Sequence, residues 1–529
     1  MPLDTYARNL ASQLTGRERW SAASGPEGYA GRQPVELLCD LMFRSQDMIH
    51  KPLIAIENRP FKIKVGLDPE RRFFSPTEIV ACGGIESVLQ EYAAARQADP
   101  GAQPTKDQRL ALDIQGAIER VSALSSSQPM ALVPAGAGKT FLRASAAAAD
   151  PGAEGVQAAM LAMGKAYVGG QPMDPAVEQF RSAITGAAQA DPASDRAVSL
   201  ELFYNKHHPW RMAAYGYGLA IVLFGLSTLA MRRWLLIAAI LAGLWGVAEH
   251  VLGVGLRVAI LGRAPVSNTY EAILWMGLVG VALGAVGQVV NRKAWYLFAG
   301  LGVALLSVIF STLVPLESRT NSLPAVLRSN YWLIVHVLTI TASYGVLAVA
   351  SLLGHVYLVK EVLLRRGNAA ADAPSKFSNP LVVQTYRSIQ IGLFLLTAGT
   401  ILGGVWAADS WGRFWGWDPK ETWALISIVV YFAVLHARYV RWIEDFGLAA
   451  CAVLGFASIV WTFYGVNYLM ASGLHSYGFG AGGGTWVGVW AVAEILFVVV
   501  CRLRRPPVAT AHDRAAPVPS PAPGAGQTA

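Results

Sequence analysis

From Met212 onward the chain is a succession of apolar runs of nearly uniform length, roughly 212 to 231, 234 to 254, 270 to 290, 294 to 315, 331 to 359, 389 to 407, 420 to 440, 447 to 469 and 485 to 503. A helix needs about twenty apolar residues to cross a bilayer, and in lipid every backbone N–H and C=O must find its partner within the segment. The runs therefore predict a polytopic all-α membrane protein with about nine transmembrane helices. The first two hundred residues are of another kind: polar, charged, and broken by Pro, Gly and Ala-rich loops, with short helical patterns at Pro34 to Phe43 and Glu86 to Arg96. The chain thus divides into a mainly helical soluble domain over 1–208 and a membrane domain over 209–505. The Pro/Ala-rich stretch 506–529 cannot build a core and reads as a disordered tail.

Charge sets the orientation. The connections after the odd-numbered spans, with the residues after the last, hold fourteen basic side chains, from Arg232 and Arg233 through Arg438 and Arg441 to Arg504 and Arg505. The opposite connections hold six: Arg257, Arg263, Arg319, Arg328, Arg413 and Lys420. The richer side belongs in the cytoplasm, which puts the N-terminal domain outside, the C-terminus inside, and the whole in the cell's inner (cytoplasmic) membrane. Residues Pro2 to Ala7 do not make a basic region followed by an apolar run. Either the first membrane helix carries the domain across, or the chain begins where a longer or split gene was cut.

Several function classes drop out. The net charge of +8 would suit nucleic acid, but the Lys and Arg of the apolar half sit in short connections where orientation accounts for them, so no nucleic-acid partner is expected. Four cysteines, Cys39, Cys82, Cys451 and Cys501, form no C-x-x-C pair, which excludes a CxxC redox protein and a c-type cytochrome. Cys39 and Cys82 are either a disulfide of an extracytoplasmic domain or two buried thiols. The stretch Pro134 to Thr140 imitates a phosphate loop, yet the position where the motif needs its first glycine holds Val133, and no convincing strand precedes it.

One connection is unlike the rest. Trp411-Gly412-Arg413-Phe414-Trp415-Gly416-Trp417-Asp418-Pro419-Lys420-Glu421-Thr422-Trp423 places Trp411, Trp415, Trp417 and Trp423 between two apolar spans. Asp418, Pro419 and Glu421 have the spacing of a capped helix start. An interfacial aromatic belt accounts for some tryptophan, but not for this density over bending glycines; a flat hydrophobic ligand at the membrane surface does. Five histidines, His250, His336, His355, His436 and His475, lie in or beside spans, where ionisable groups are costly and functional by default. His336 sits about 8 Å below the outer end of its span, at 1.5 Å per residue. His475 lies in the outer connection after the eighth span, on the same side as the tryptophans. Two neutral imidazoles there can ligate one heme iron from opposite faces. His436, about 26 Å beyond Pro419, lies at the cytoplasmic end, and one reading makes it a ligand for heme entering from that side. For His250 and His355, packing or hydrogen bonding is favoured.

Taken together, these residues resemble a known family. The loop W-G-x-x-W-x-W-D-P-K-E-x-W at Trp411 to Trp423 is similar to the WWD signature of heme-handling proteins of cytochrome c maturation. With His336, His436 and His475, and with the stretch Gly262 to Glu271, residues 212–503 resemble the CcsA/ResC type of System II. The resemblance implies that heme b crosses the membrane and is held outside by His336 and His475 against Trp411, Trp415, Trp417, Asp418 and Trp423, with His436 as the transmembrane ligand. It implies as partners apocytochrome c with its CxxCH motif and a CcsB/ResB-like membrane protein that completes the inner site. The N-terminal region is similar to the extracytoplasmic extension of some CcsB–CcsA fusions. The resemblance also implies cytochrome c heme lyase activity within a CcsA–CcsB complex, with no catalytic side chain assigned. The rivals are a System I-type WWD heme-delivery protein and a small-solute transporter, and the inverted repeats of the latter are not visible.

Overall fold

A computed structural model describes residues 3–18, 20, 25–99, 102, 104–125, 131–133, 142–143, 154–187, 192–266, 268–313, 331–364, 379–470 and 484–504. The chain forms two compact units, Met1–His207 and His208–Ala529.

In the first unit the helices are short and amphipathic. Leu3–Thr15 and Pro34–Phe43 bury Leu10, Leu14, Leu37, Leu38 and Leu41 against Phe61 and Phe74. The expected pattern at Pro34 to Phe43 is a helix with those bounds, opened by Pro34 behind Gln33, and the one at Glu86 to Arg96 lies within the helix Gly84–Ala98. A two-stranded antiparallel ribbon pairs Ile54 with Phe74 and Ala55 with Phe73. The buried carboxylate of Asp40 accepts from Tyr29 Oη at 2.6 Å and from Tyr167 Oη at 3.1 Å, which pins the helix Glu154–Val168 to this core. Cys39 and Cys82 are both free thiols, so of the two readings the structure has the unbonded one. A three-residue strand, Ala131–Val133, does precede the phosphate-loop imitation, contrary to expectation, but it pairs with Leu142–Arg143 as a hairpin. That is not the strand–loop–helix order a phosphate loop needs. The imitation itself lies outside the described residues.

The second unit is an all-α bundle. Among the described residues eight helices are long and apolar enough to cross a membrane, and the ninth expected run forms the helix Gly484–Leu503, of 20 residues. In chain order the nine are Pro209–Ala230, Arg233–Leu261, Thr269–Asn291, Ala294–Leu313, Tyr331–Leu364, Pro380–Trp411, Pro419–Tyr439, Asp445–Val460 and Gly484–Leu503. The sixth exceeds its apolar run at both ends: Asn379 caps it by accepting the Leu381 N–H, and Gly412, with φ 70°, ends it. Hydropathy misses such ends because they are polar but still hydrogen-bonded as helix. The eighth continues as a π-helical stretch, Trp461–Met470, a rare winding that recurs at functional sites.

The fifth helix is central, with Leu347, Ala350, Leu353 and Leu358 buried against Ile389, Leu396, Leu448 and Val453. Polar contacts fix the register between neighbours. Trp275 Nε1 donates to the Leu338 carbonyl at 3.2 Å, joining the third helix to the fifth. Tyr217 Oη and the Leu274 carbonyl take the two nitrogens of the fully buried His250, each at 3.0 Å. Since a carbonyl only accepts, Nε2 of His250 donates, and in the neutral ring Nδ1 then accepts from the tyrosine. Both ring nitrogens of His250 are therefore used. The buried pair of Arg257 and Glu271, 2.7 Å apart, ties the second helix to the third.

Candidate functional site

The Trp-rich connection folds back on its own carboxylate. Asp418 caps the seventh helix, accepting the Lys420 N–H at 3.0 Å, with Pro419 in the first turn and Glu421 completing a capping box. This is the geometry its spacing predicts, and Asp418 is buried. Glu421 does more than cap. Its Oε2 accepts from Gly416 N at 2.8 Å and from Asp418 N at 3.2 Å, and its Oε1 accepts from Arg413 at 3.2 Å. The residue between those two amides, Trp417, has φ 57° and is 69% exposed. A left-handed tryptophan costs roughly 1–2 kcal/mol, and the grip of Glu421 on both flanking amides offsets it. Trp417 is thereby held out from the loop rather than folded into the bundle.

The four tryptophans do not form one stack. Trp411 meets the buried Trp406 at 4.5 Å between ring centroids, Trp415 meets Trp417 edge-on at 5.9 Å, and Trp423 packs on Trp461 at 5.6 Å. Edge and tilted pairs of this kind are the preferred aromatic geometry. They leave Trp415 and Trp417 as the pair on the loop, with Phe414, 50% exposed. Below them, Lys420 Nζ donates to Asn467 Oδ1 at 2.8 Å, and Thr462 bonds both Ser427 Oγ, at 2.9 Å, and the Trp423 carbonyl, at 3.1 Å. The start of the seventh helix is thus fastened to the π-helical stretch. Beside the second and third helices, burial pulls the Arg263 guanidinium below its ordinary pKa, against the nearby Glu271 carboxylate.

His336 belongs to the same end of the bundle. Its Nδ1 lies 2.7 Å from the Gly399 carbonyl on the sixth helix, so Nδ1 carries the hydrogen and, in the neutral ring, Nε2 carries the lone pair. The ring fills a notch over Gly403, where an added Cβ would come within 2.6 Å of His336 Cε1. The next residue, Gly404, faces the ring of Phe414 equally closely, at 2.6 Å from the same hypothetical atom. An imidazole and the Trp-rich loop are therefore seated on consecutive residues of one helix.

Of the other two expected ligands, one is described. His436 lies at the far end of the seventh helix, exposed, with Nδ1 donating to the Phe432 carbonyl at 3.1 Å, and is not brought near His336. His475 lies outside the described residues. His355 is bonded on both nitrogens, to the Ser351 carbonyl at 2.9 Å and to Glu494 at 2.7 Å. Sequence reading missed Gly399, Gly403 and Gly404, whose G-x-x-x-G spacing was the available sign of close helix approach. It also took Glu421 for a cap alone.

A family model described as cytochrome C assembly protein matches residues 266–475, a range that holds His336, the Trp-rich connection, His436 and His475. The chain is 41% identical over 234 residues to the protein NrfI of Wolinella succinogenes, an alignment over 44% of this chain and only 25% of that protein's length. It is 38% identical over 249 residues to the cytochrome c biogenesis protein CcsA of Prochlorococcus marinus strain NATL1A, covering 41% of this chain and 77% of that protein. With CcsA of Guillardia theta the identity is 36% over 244 residues, covering 42% and 80%. A match at this identity over more than two thirds of the CcsA chains, carried by an all-α membrane bundle, places the protein in the CcsA family of cytochrome c biogenesis proteins.

Proposed function

We propose that the chain binds heme b as its substrate at the Trp-loop end of the bundle and presents it for covalent attachment to apocytochrome c, as a System II component of the CcsA/ResC type. In this reading His336 and His475 are the axial ligands, and Trp411, Trp415, Trp417 and Trp423 flank the macrocycle, with Asp418 holding the loop. The observation that carries it is the seating of His336 beside the loop: its Nδ1 is tied to the Gly399 carbonyl, the orientation that directs a lone pair from Nε2, and ligand histidines are commonly fixed in this way.

Attachment itself needs no acid or base from the loop. Each apocytochrome cysteine adds its S–H across one heme vinyl group: a C–S bond forms at the carbon next to the ring, the hydrogen ends on the terminal carbon, and nothing is oxidised or reduced overall. The protein's contribution is orientation of the two thiols against the two vinyls, which can be worth roughly 7–11 kcal/mol. The histidine of the CxxCH segment then replaces His336 or His475 on iron, which releases the product. The Trp-loop end faces the extracytoplasmic side, by the distribution of basic residues. His436, exposed at the opposite end, is the inner ligand, and its partner imidazole comes from a CcsB/ResB-like protein.

The test is the absorption spectrum of the chain purified with that partner. A low-spin, bis-histidine heme is expected, together with its loss, and loss of cytochrome c yield, in His336→Ala and His475→Ala. If both variants keep spectrum and yield, the ligand assignment is wrong.

A further inference from the structure

We infer that Gly403 is a positioning residue for heme ligation, acting through His336, and that with Gly404 it couples the axial imidazole to the Trp-rich loop. The inference rests on the ligand role of His336 proposed above and adds what fixes that ligand.

Two of its contacts orient the ring. The Gly399 carbonyl accepts its Nδ1–H at 2.7 Å and so sets the tautomer. Gly403, one turn further along the same helix, leaves the notch in which the ring lies: a methyl there would stand 2.6 Å from Cε1, 2.9 Å from Nδ1 and 3.2 Å from Nε2. The first two distances are shorter than a real Cβ contact and the third is tight, so a side chain at 403 forces the ring to shift from the orientation that keeps the Gly399 bond. A further contact sets the depth. Trp275 Nε1 holds the Leu338 carbonyl at 3.2 Å, which fixes the fifth helix two residues beyond His336.

Gly404 does for the loop what Gly403 does for the imidazole. A methyl at 404 would meet Phe414 Cζ, Cε2 and Cε1 at 2.6 to 2.8 Å. Adjacent helical residues point about 100° apart, so one helix offers two neighbouring seats, one for the ligand and one for the loop. Their spacing does not vary, because both are cut into the same backbone. A ligand gripped by His336 therefore meets the loop at a separation set by the sixth helix and not by the loop's own flexibility.

The experiment compares Gly403→Ala with Gly404→Ala in the chain purified with its partner protein and retained heme. Gly403→Ala is expected to lose the six-coordinate low-spin spectrum and roughly ten- to hundred-fold in heme affinity, the range for changes that misplace a metal-ligating histidine. Gly404→Ala is expected to keep the low-spin spectrum at lower heme content, since it displaces Phe414 and not the ligand. A Gly403→Ala protein with parental spectrum and content, or two variants with the same spectrum, overturns the inference. Should Gly403→Ala not accumulate, the double variant His336→Gly/Gly403→Ala makes room for the methyl. Free imidazole should restore the low-spin spectrum to His336→Gly, and the added methyl should raise the imidazole needed at least ~ten-fold, the lower end of the same range; equal rescue overturns the inference. A His336→Ala protein that keeps the parental spectrum instead removes the ligand role itself, and the two failures are told apart by that variant alone.

Discussion

His355 on the fifth helix and Glu494 on the ninth meet at 2.7 Å, Nε2 to Oε2, with the Phe497 ring stacked 5.0 Å from the imidazole. An acid and an imidazole at membrane depth are costly unless each satisfies the other. Here they also fasten the ninth helix to the centre of the bundle.

That pairing makes the side chain at 494 a test of helix attachment. Glu494→Gln keeps a hydrogen bond to Nε2 and should be nearly neutral, whereas Glu494→Leu leaves a part-buried imidazole nitrogen without it. A buried unsatisfied group costs about 1–3 kcal/mol, and measured interhelical bonds in membranes average about 0.6 kcal/mol, so a loss near 1 kcal/mol is expected. Thermal unfolding in detergent should order the proteins as parent, Gln, then Leu. If Leu is as stable as the parent, the pair does not hold the helix.

Glu421 closes the Trp-rich loop through the Gly416 and Asp418 amides and the Arg413 guanidinium. Glu421→Ala removes all three bonds. The Arg413 bond counts least, because that side chain is a third exposed and its charge is screened. Two lost amide bonds to a carboxylate amount to about 3 kcal/mol locally, enough to open the loop without unfolding nine helices. Protease nicking within 412–418 should appear in Glu421→Ala and much less in Glu421→Gln, which keeps an acceptor. Equal resistance of parent and Ala variant would show that something else closes the loop.

Trp417 is a single position at which fold and the proposed heme binding can be told apart. Its φ of 57° suits glycine, and its ring is mostly exposed, so Trp417→Gly relieves about 1 kcal/mol of backbone strain at little cost in burial. The variant is expected to unfold at the same or a slightly higher temperature and yet to retain less heme, with Trp415→Ala acting in the same direction through the lost edge contact. Unchanged heme content in both would count against any role of these indoles in holding the ligand.

In the first unit, burial pushes the Cys39 thiol up to about 11, with the Asp40 and Glu36 carboxylates adding to the shift. At pH 8 the thiolate fraction is then about 100-fold below that of an ordinary cysteine, as two pKa units require. Alkylation of Cys39 by iodoacetamide in the folded protein should be slower by about that factor than in urea. The same shift fixes the sign for stability: a folded-state pKa above the unfolded value gives stability that is complete below the unfolded pKa near 9 and lost as pH rises toward 11. Cys39→Ala should flatten that part of the profile. Rapid labelling of native Cys39 at pH 8 would contradict the burial.

Much of this protein is legible in its sequence. Span positions depend only on local apolar length, and Asp418, Pro419 and Glu421 announce the start of the seventh helix because capping acts over three residues. The similarity to CcsA is likewise carried by a local motif and by histidines at fixed distances along the chain. Packing between helices is another matter, since residues far apart in sequence, such as His336 and Gly399, leave no periodic trace of meeting. Hydropathy cannot tell that Gly399 and Gly403 receive His336, that Gly404 receives Phe414, or that the tryptophans divide into separate pairs instead of one sheet. Nor does it distinguish the π-helical Trp461–Met470 from an ordinary helix end, because both bury the same apolar side chains. Sequence determined which segments enter the membrane and where they begin, since lipid and capping act on contiguous residues. Only the tertiary structure decided that His336 and Phe414 take neighbouring seats on the sixth helix, because that depends on how closely two backbones can approach.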